Sequence, residues 1–411
     1  MSATKAKPDW LIWIHRYVGL TVGLWLFFVG ASGAILAYYR ELDVAFNPDL
    51  FAVKDAPQHP DLDRMLETVQ AAHPNRFVLY VERYGLERGE AHFFNLTREL
   101  PRTAAGLDLS SIGNYDDAYD WQVFVDPATN RIIGERSYWT TLNFLRDFHR
   151  EFFAPPTGRD FLGALGLTLF VSAVIGVVLW WRDAKKHLKR ALTFRASAAV
   201  PRLIRDGHTV LGFYAALIIG WLSLSATLIC YGGELREFAD WVLRGGKPAQ
   251  NFESVVMEAE HKPVAVAERM YSLSRARDTA LTDHPNSDVV LVRMPKTPAA
   301  RYTFRLYPTD EDKTLYTRQV YIDAGTGEIV GRFDPKRQPW TDSLFGLWLI
   351  WFHNGTMLGD VGRAFNIFAG VVLASLFPTG LYIWWKKRRA RVPKKAAAPA
   401  ASSQTAVNPA E

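Results

Sequence analysis

This chain of 411 residues has a single cysteine, Cys230, which excludes an intrachain disulfide and any Cys-x-x-Cys-His attachment of haem. It has no Gly-rich nucleotide loop, so no flavin or NADPH domain is expected. Charge is absent from four stretches of a chain that is otherwise 22% charged and 49% hydrophobic: residues 17–39, 161–181, 210–231 and 364–385 contain no Asp, Glu, Lys or Arg. At about 1.5 Å per residue each spans roughly 30 Å, the hydrocarbon core of a bilayer, so four transmembrane helices are expected.

Orientation follows from where the cations collect. Lys185, Lys186, Lys189, Arg190, Arg195 and Arg202 lie between the second and third stretches, and Lys386, Lys387, Arg388, Arg389, Arg391, Lys394 and Lys395 follow the fourth. These faces, with Lys5 and Lys7, read as cytoplasmic, and 40–160 and 232–363 as external. The net charge of +6 is therefore a topology signal, and no nucleic-acid partner is implied. The first stretch matches an internal one in length and pattern, which marks it as a retained helix and not a signal peptide. The Ala-, Pro- and Ser-rich tail after Arg391 reads as disordered.

The chain is written twice. From His15, Gly19 lies four residues on, Tyr38 twenty-three and Glu41 twenty-six; from His208 the same steps reach Gly212, Tyr231 and Glu234. Phe148-His149 precedes Gly166, Gly176 and Trp181 by the steps that separate Phe352-His353 from Gly370, Gly380 and Trp385. Val123 to Asp126, running to Gly134, is echoed by Val320 to Asp323, running to Gly331. Each external segment reads as a small helix on an antiparallel sheet. The first has a helix over 62–72 and strands over 77–81, 91–96 and 122–133; the second has a helix over 264–273 and strands over 289–293, 302–307 and 319–330, with hairpin turns at 126–130 and 323–327. The expected fold is a membrane α+β protein: an internally duplicated four-helix transmembrane bundle with two external α/β domains. Its parts are 1–39 (N-terminus and first span), 40–137 (first external domain), 138–160 (interfacial helix), 161–182 (second span), 183–207 (basic loop), 208–231 (third span), 232–338 (second external domain), 339–363 (interfacial helix), 364–385 (fourth span) and 386–411 (tail).

Four histidines, His15, His149, His208 and His353, stand at matching helix entrances. An interfacial imidazole can be a bland anchor, but anchoring does not require one residue at one step in both copies, and Trp or Tyr serves better. Topology pairs His15 with His208 on the cytoplasmic side and His149 with His353 on the external side. Two facing imidazoles are the axial ligands of a non-covalent b-type haem, and a helix bundle is a common host. Two histidines per level are too few for a closed zinc site, so two bis-histidine haems are favoured over a metal ion. Gly19, Gly166, Gly212 and Gly370 would admit a flat macrocycle or, equally well, a neighbouring helix. Residues 139–153 and 340–353, aromatic and amphipathic, are expected to lie along the outer membrane face, with Trp139, Trp340, Trp348 and Trp351 near the outer site. His59, His73, His92, His187, His261 and His284 show no ligand spacing and no counterpart in the other copy, and read as surface histidines. Pro378 is the one kink expected in the spans.

The opening His15-Arg-Tyr-Val-Gly-Leu, with Gly30-Ala-Ser-Gly33 and Tyr39-Arg-Glu41-Leu, resembles the PepSY-associated transmembrane, or iron-regulated inner-membrane, proteins over about residues 10 to 390. The resemblance implies a bacterial inner-membrane protein with both termini cytoplasmic, two b haems and PepSY-like periplasmic domains, similar to reductases of ferric siderophores. Only the four matched histidines carry over as site residues. The implied substrate is an Fe(III) chelate, reduced to release Fe(II) for iron uptake. A non-enzymatic, membrane-anchored module that binds an envelope peptide or protein is the alternative, and it leaves the histidine register unexplained. A haem or siderophore transporter would call for broken spans or polar groups near the midplane, of which Ser32, Thr168, Ser172, Ser223, Ser225, Thr227 and Ser375 are few.

Overall fold

The computed structural model describes residues 9–85, 90–104, 106–112, 118–194, 198–243, 269–297, 299–309, 317–334, 344 and 348–390. The C-terminal tail beyond 390, Trp340, His261 and residues 264–268 of the second expected external helix lie outside them. Helices α1 (Trp10–Thr21) and α2 (Gly23–Leu36) lead into α3 (Tyr39–Phe46) and α4 (Leu62–Ala72). Strands β1 (Val78–Glu82), β2 (His92–Thr97), β3 (Tyr119–Asp126) and β4 (Arg131–Ser137) follow, then α5 (Thr141–Glu151), α6 (Thr157–Ala184) and α7 (Val200–Cys230). The second copy continues with α8 (Leu273–Asp283), β5 (Ser287–Arg293), β6 (Arg301–Pro308), β7 (Arg318–Asp323), β8 (Ile329–Phe333), α9 (Leu349–Asn354) and α10 (Gly359–Ala390).

Among the described residues three helices are long and apolar enough to cross a membrane, within Thr157–Ala184, Val200–Cys230 and Thr356–Ala390. The pair α1 and α2 forms a fourth span if counted together, bent by 64°. A straight first span was expected, and the kink was expected at Pro378; instead α10 runs through Pro378 and the break falls at Val22. Two local causes coincide there. The Thr21 hydroxyl donates back to the carbonyls of Tyr17 (2.8 Å) and Val18 (3.4 Å), a pattern that bends helices. Gly23 lies against the Phe377 ring, where a Cβ would come within 2.6 Å. Helix α6 packs along α7, and α10 packs on both α2 and α7. Gly30 and Gly370 meet back to back, each where a Cβ would stand 3.0 and 2.6 Å from the other's carbonyl oxygen, and Gly166 abuts Ser223 and Thr227. For Gly166 and Gly370, then, helix packing is the role.

Outside the bundle, the two copies do not form separate sheets as expected. All eight strands join in one antiparallel sheet of order β8-β7-β6-β5-β1-β2-β3-β4, so the first strand of each copy pairs with its counterpart, Val81 opposite Val292. This removes two open edges. Helices α4 and α8 lie on the same face, and a single core runs across the seam through Leu62, Met65, Val69, Phe94, Leu273, Ala280, Val292 and Phe304. The helices also cap each other: Asp63 of α4 accepts from Ser272 Oγ (2.6 Å) and from the backbone N–H groups of Leu273 (2.7 Å) and Ser274 (3.2 Å), and Ser274 Oγ accepts from Asp63 N–H (3.2 Å). Helix α4 holds the expected 62–72. The expected helix over 264–273 is corrected to Leu273–Asp283, with Ser272 as its N-cap.

Aligning α4 with α8 also corrects the reading of two histidines. His73 and His284 are the C-caps of these helices, each followed by Pro and Asn, and so are counterparts in the two copies. His92 is not at the surface either. Burial, with the charges of Arg83 and Arg277 nearby, pushes its imidazole down to about 3.

The opposite sheet face turns toward the bundle. There Phe51, Tyr84, Phe93 and Phe124 pack with Tyr39, Val44 and Leu50, which come from the segment continuing the first span. A buried ion pair sits at its centre: Arg136 reaches both carboxylate oxygens of Asp43 at 2.7 Å, and Tyr84 donates to the same carboxylate at 2.6 Å. The sheet is thereby fixed to the C-terminal end of the first span.

Candidate functional site

The four repeated histidines all turn into the bundle, and their settings share one plan. His149 lies near the C-terminus of α5, a helix capped by Thr140 and ended by Phe152 in the left-handed region. His353 occupies the corresponding place on α9, which ends at Gly355 with φ 80°. The interfacial helix expected over 340–353 is described only for Leu349–Asn354, and the helix expected over 139–153 spans Thr141–Glu151. His15 is on α1 and His208 in the first part of α7.

Each Nδ1 is tied to the neighbouring helix. His149 Nδ1 lies 3.1 Å from the Val29 carbonyl and 3.0 Å from Ser32 Oγ. His15 Nδ1 lies 3.1 Å from the Ser172 carbonyl and 3.2 Å from its hydroxyl. His353 Nδ1 lies 2.9 Å from Ser225 Oγ, with the Leu222 carbonyl beside it, and His208 Nδ1 lies 2.9 Å from Thr379 Oγ1, with the Leu376 carbonyl beside it. A carbonyl only accepts, and the hydroxyls of Ser32, Ser225 and Thr379 donate to carbonyls of their own helices. The carbonyls of Ser172 and Val29 require the hydrogen on Nδ1 of His15 and His149, which leaves the Nε2 lone pair of these rings available to a metal, and the hydroxyls beside His208 and His353 suit the same tautomer.

Small residues make room for the rings. A Cβ on Gly33 would stand 2.9 Å from His149 Cε1, one on Gly176 3.2 Å from His15 Cε1, and one on Gly380 3.3 Å from His208 Cε1. Nothing lies within 4 Å of a Cβ on Gly19, one turn beyond His15 on the same helix face.

Across the bundle axis the rings of His149 and His353 have centres 6.4 Å apart with their planes at 48°. His149 and His353 thus face each other, while His15 meets Ser172 and His208 meets Thr379, each on a neighbouring helix. Two imidazoles bound through one nitrogen each to a shared metal, at about 2.0–2.1 Å, have ring centres roughly 6 Å apart, so the outer pair fits a single axial site. Among the described residues there is no group of three or more His, Cys, Asp and Glu side chains gathered as for a protein-only metal site.

The hydroxyl and carbonyl partners were missed as site residues, although the repeat carried their signal. Val29 and Ser32 stand fourteen and seventeen residues after His15, and Leu222 and Ser225 stand at the same steps after His208. Ser172 and Leu376 both follow their copy's outer histidine by twenty-three.

A family model described as the PepSY-associated TM region matches residues 12–262 and again 249–406. No curated protein matches the chain.

Proposed function

Since the chain belongs to the PepSY-associated transmembrane family, with apolar helices able to cross a membrane, we propose that it is a di-haem b electron-transfer protein of the bacterial inner membrane that reduces ferric siderophores or other Fe(III) chelates in the periplasm. The reading rests on one observation: four imidazoles at matching places in the two copies, each with Nδ1 against a hydroxyl or carbonyl of a neighbouring helix, and the rings of His149 and His353 facing each other at 6.4 Å. A bound b haem supplies a one-electron Fe(III)/Fe(II) couple whose potential follows its axial ligands, their hydrogen bonds and burial.

The chain's own residues set up that chemistry. Ser32, Ser225 and the carbonyls of Val29 and Leu222 orient the outer rings, and Ser172, Thr379 and the carbonyl of Leu376 orient the inner ones. The helices around them keep water from the axis. The sheet, fixed over the outer end by Asp43 and Arg136, offers a surface for the chelate. A membrane quinol or a redox partner protein serves as donor on the inner side. One electron converts Fe(III) in the chelate to Fe(II), and the lower charge weakens the hold of hard oxygen ligands, releasing the ion for uptake. The alternative of a bare anchored binding module gives no role to the repeated tethering of Nδ1.

The test is a single-turnover reaction. Protein reduced with dithionite, desalted under argon and mixed with ferric citrate should lose the reduced b-type α-band as an Fe(II) indicator develops colour. A band that persists, with no Fe(II) formed from any of several ferric chelates, would refute reduction.

A further inference from the structure

The helix Gly232–Leu243 follows α7 and is the second copy's counterpart of α3. The steps that carry His15 to Tyr38 and Glu41 carry His208 to Tyr231 and Glu234, so Tyr39, Asp43 and Val44 of α3 correspond to Gly232, Arg236 and Glu237. Those three residues of α3 make its seat on the sheet. Tyr39 and Val44 pack with the cluster of Phe51, Tyr84, Phe93 and Phe124, and Asp43 forms the ion pair with Arg136. Glycine, arginine and glutamate at these steps cannot repeat that seat, and among the described residues the second helix has its substantial packing on α7 alone.

In place of a sheet-docking face the second helix carries a row of exposed apolar side chains. Leu235, Phe238 and Val242 are spaced as one stripe of a helix, and Trp241 lies along its edge. Phe238, Trp241 and Val242 are 63%, 58% and 53% exposed, and the Phe238 and Trp241 rings stack with centres 6.4 Å apart. In the first copy the steps of Phe238, Trp241 and Val242 hold Ala45, Pro48 and Asp49, so the stripe belongs to the second copy alone. Glu237, also exposed, lies about 100° around the helix from Phe238 and about 140° from Val242.

The level of this helix follows from the residue before it. The charge-free run of the third span ends at Tyr231, whose hydroxyl donates to the Asp160 carbonyl (2.6 Å) in the first turn of α6, immediately before the charge-free run that begins at Phe161. The helix therefore starts where two spans reach the membrane surface. Tyr231 has left helical geometry, with φ −106° and ψ 24°, as Tyr38 has with φ −122° and ψ 36°, so the helix turns off the axis of α7. An amphipathic helix starting at this level, with a tryptophan at the border of its apolar stripe, suits the boundary between lipid headgroups and acyl chains.

We propose that the helix Gly232–Leu243 lies in this boundary, with Leu235, Phe238 and Val242 among the upper acyl chains, Trp241 at the headgroups and Glu237 in water. Its partner is the bilayer that carries the spans, so lipid holds the second helix where the sheet holds α3. The proposal needs no haem and stands apart from the reductase reading.

The test uses full-length protein in nanodiscs of phosphatidylethanolamine and phosphatidylglycerol. Phe238→Cys, Val242→Cys and Glu237→Cys, each made in a Cys230→Ser background and checked by melting temperature, are labelled with a nitroxide. Power-saturation EPR then compares collisions with oxygen, which concentrates among acyl chains, and with a water-soluble nickel chelate. The labels replacing Phe238 and Val242 should favour oxygen, and the label replacing Glu237 should favour nickel. Nickel-dominated collisions at all three places would overturn the proposal, since the helix then stands in water. Shielding of the first two labels from both reagents would overturn it as well, since protein then covers the stripe: a second copy if spin–spin broadening appears, another part of this chain if not. The native side chain is read in parallel. The fluorescence difference between wild type and Trp241→Phe should be quenched by lipids brominated high on the acyl chain, and an unquenched difference would contradict the placement.

Discussion

Replacing Gly33 by alanine tests the outer site without touching a ligand. The new Cβ would stand 2.9 Å from His149 Cε1, whereas carbon atoms pack comfortably at about 3.5–4.0 Å, so the ring must retreat by roughly 0.6 Å. A metal–imidazole bond tolerates about 0.2 Å, and the tethers to Val29 and Ser32 oppose the retreat from one side. The outer haem should therefore be lost or become five-coordinate, while the inner one, on His15 and His208, stays. Pyridine haemochrome analysis should fall from two haems per chain toward one, and low-temperature spectra should lose one α-band component. Gly176→Ala and Gly380→Ala, with clearances of 3.2 and 3.3 Å, should perturb the inner site more mildly. Gly207→Ala is the control: nothing lies within 4 Å, and the helix should gain up to about 1 kcal/mol from the better propensity. A Gly33→Ala protein with two six-coordinate haems and an unaltered spectrum would refute the assignment of the ring's position.

Three further outcomes follow from the geometry. Ser225→Val, by removing the nearer hydrogen-bond partner of His353 Nδ1, should weaken outer haem binding about 10- to 100-fold, and haem transfer to apomyoglobin would measure it. Asp63→Ala should lower the stability of the external sheet by about 1–2 kcal/mol through the lost cap, read as a melting temperature. Burial raises the Asp63 pKa, but the hydrogen bonds from Ser272, Leu273 and Ser274 outweigh it and hold it below the ordinary carboxylate value. Its contribution is thus present at neutral pH and lost as pH falls through that depressed value, so the gap between wild type and variant should narrow once the pH drops below the ordinary carboxylate range; a constant gap would contradict this. Asp43→Ala strands the Arg136 guanidinium against the aromatic cluster and should cost about 3–5 kcal/mol, more than the Asp43→Ala/Arg136→Met pair, in chemical denaturation followed by Trp fluorescence.

Much of this architecture was legible because strong local signals agreed with it. Helix α4 has its Asp61 cap and large apolar residues Leu62, Met65 and Val69 in helical register. Helix α8 was misplaced because its buried face is Leu273, Ala276 and Ala280 with Arg277, whose guanidinium is held by the Pro60 carbonyl, and such a face carries little hydrophobic contrast. The union of the two half-sheets was not legible, since β1 and β5 read alike whether or not they pair with each other. Nor was the bend at Val22, because the back-bond of Thr21 reads in sequence like any threonine in a helix. At the site, the four histidines emerged from spacing alone. Their hydroxyl and carbonyl partners obeyed the same spacing, yet a serine in a span looks like any other until a ring is placed beside it.

The central claim is tested most directly by counting haem. Wild type, His15→Ala and His353→Ala should be purified in mild detergent and compared by oxidised and dithionite-reduced spectra and pyridine haemochrome content. Two b haems per wild-type chain, and one in each variant with a different component removed, is the predicted result. A colourless wild-type protein that haem does not reconstitute, or variants that keep both haems, would contradict it.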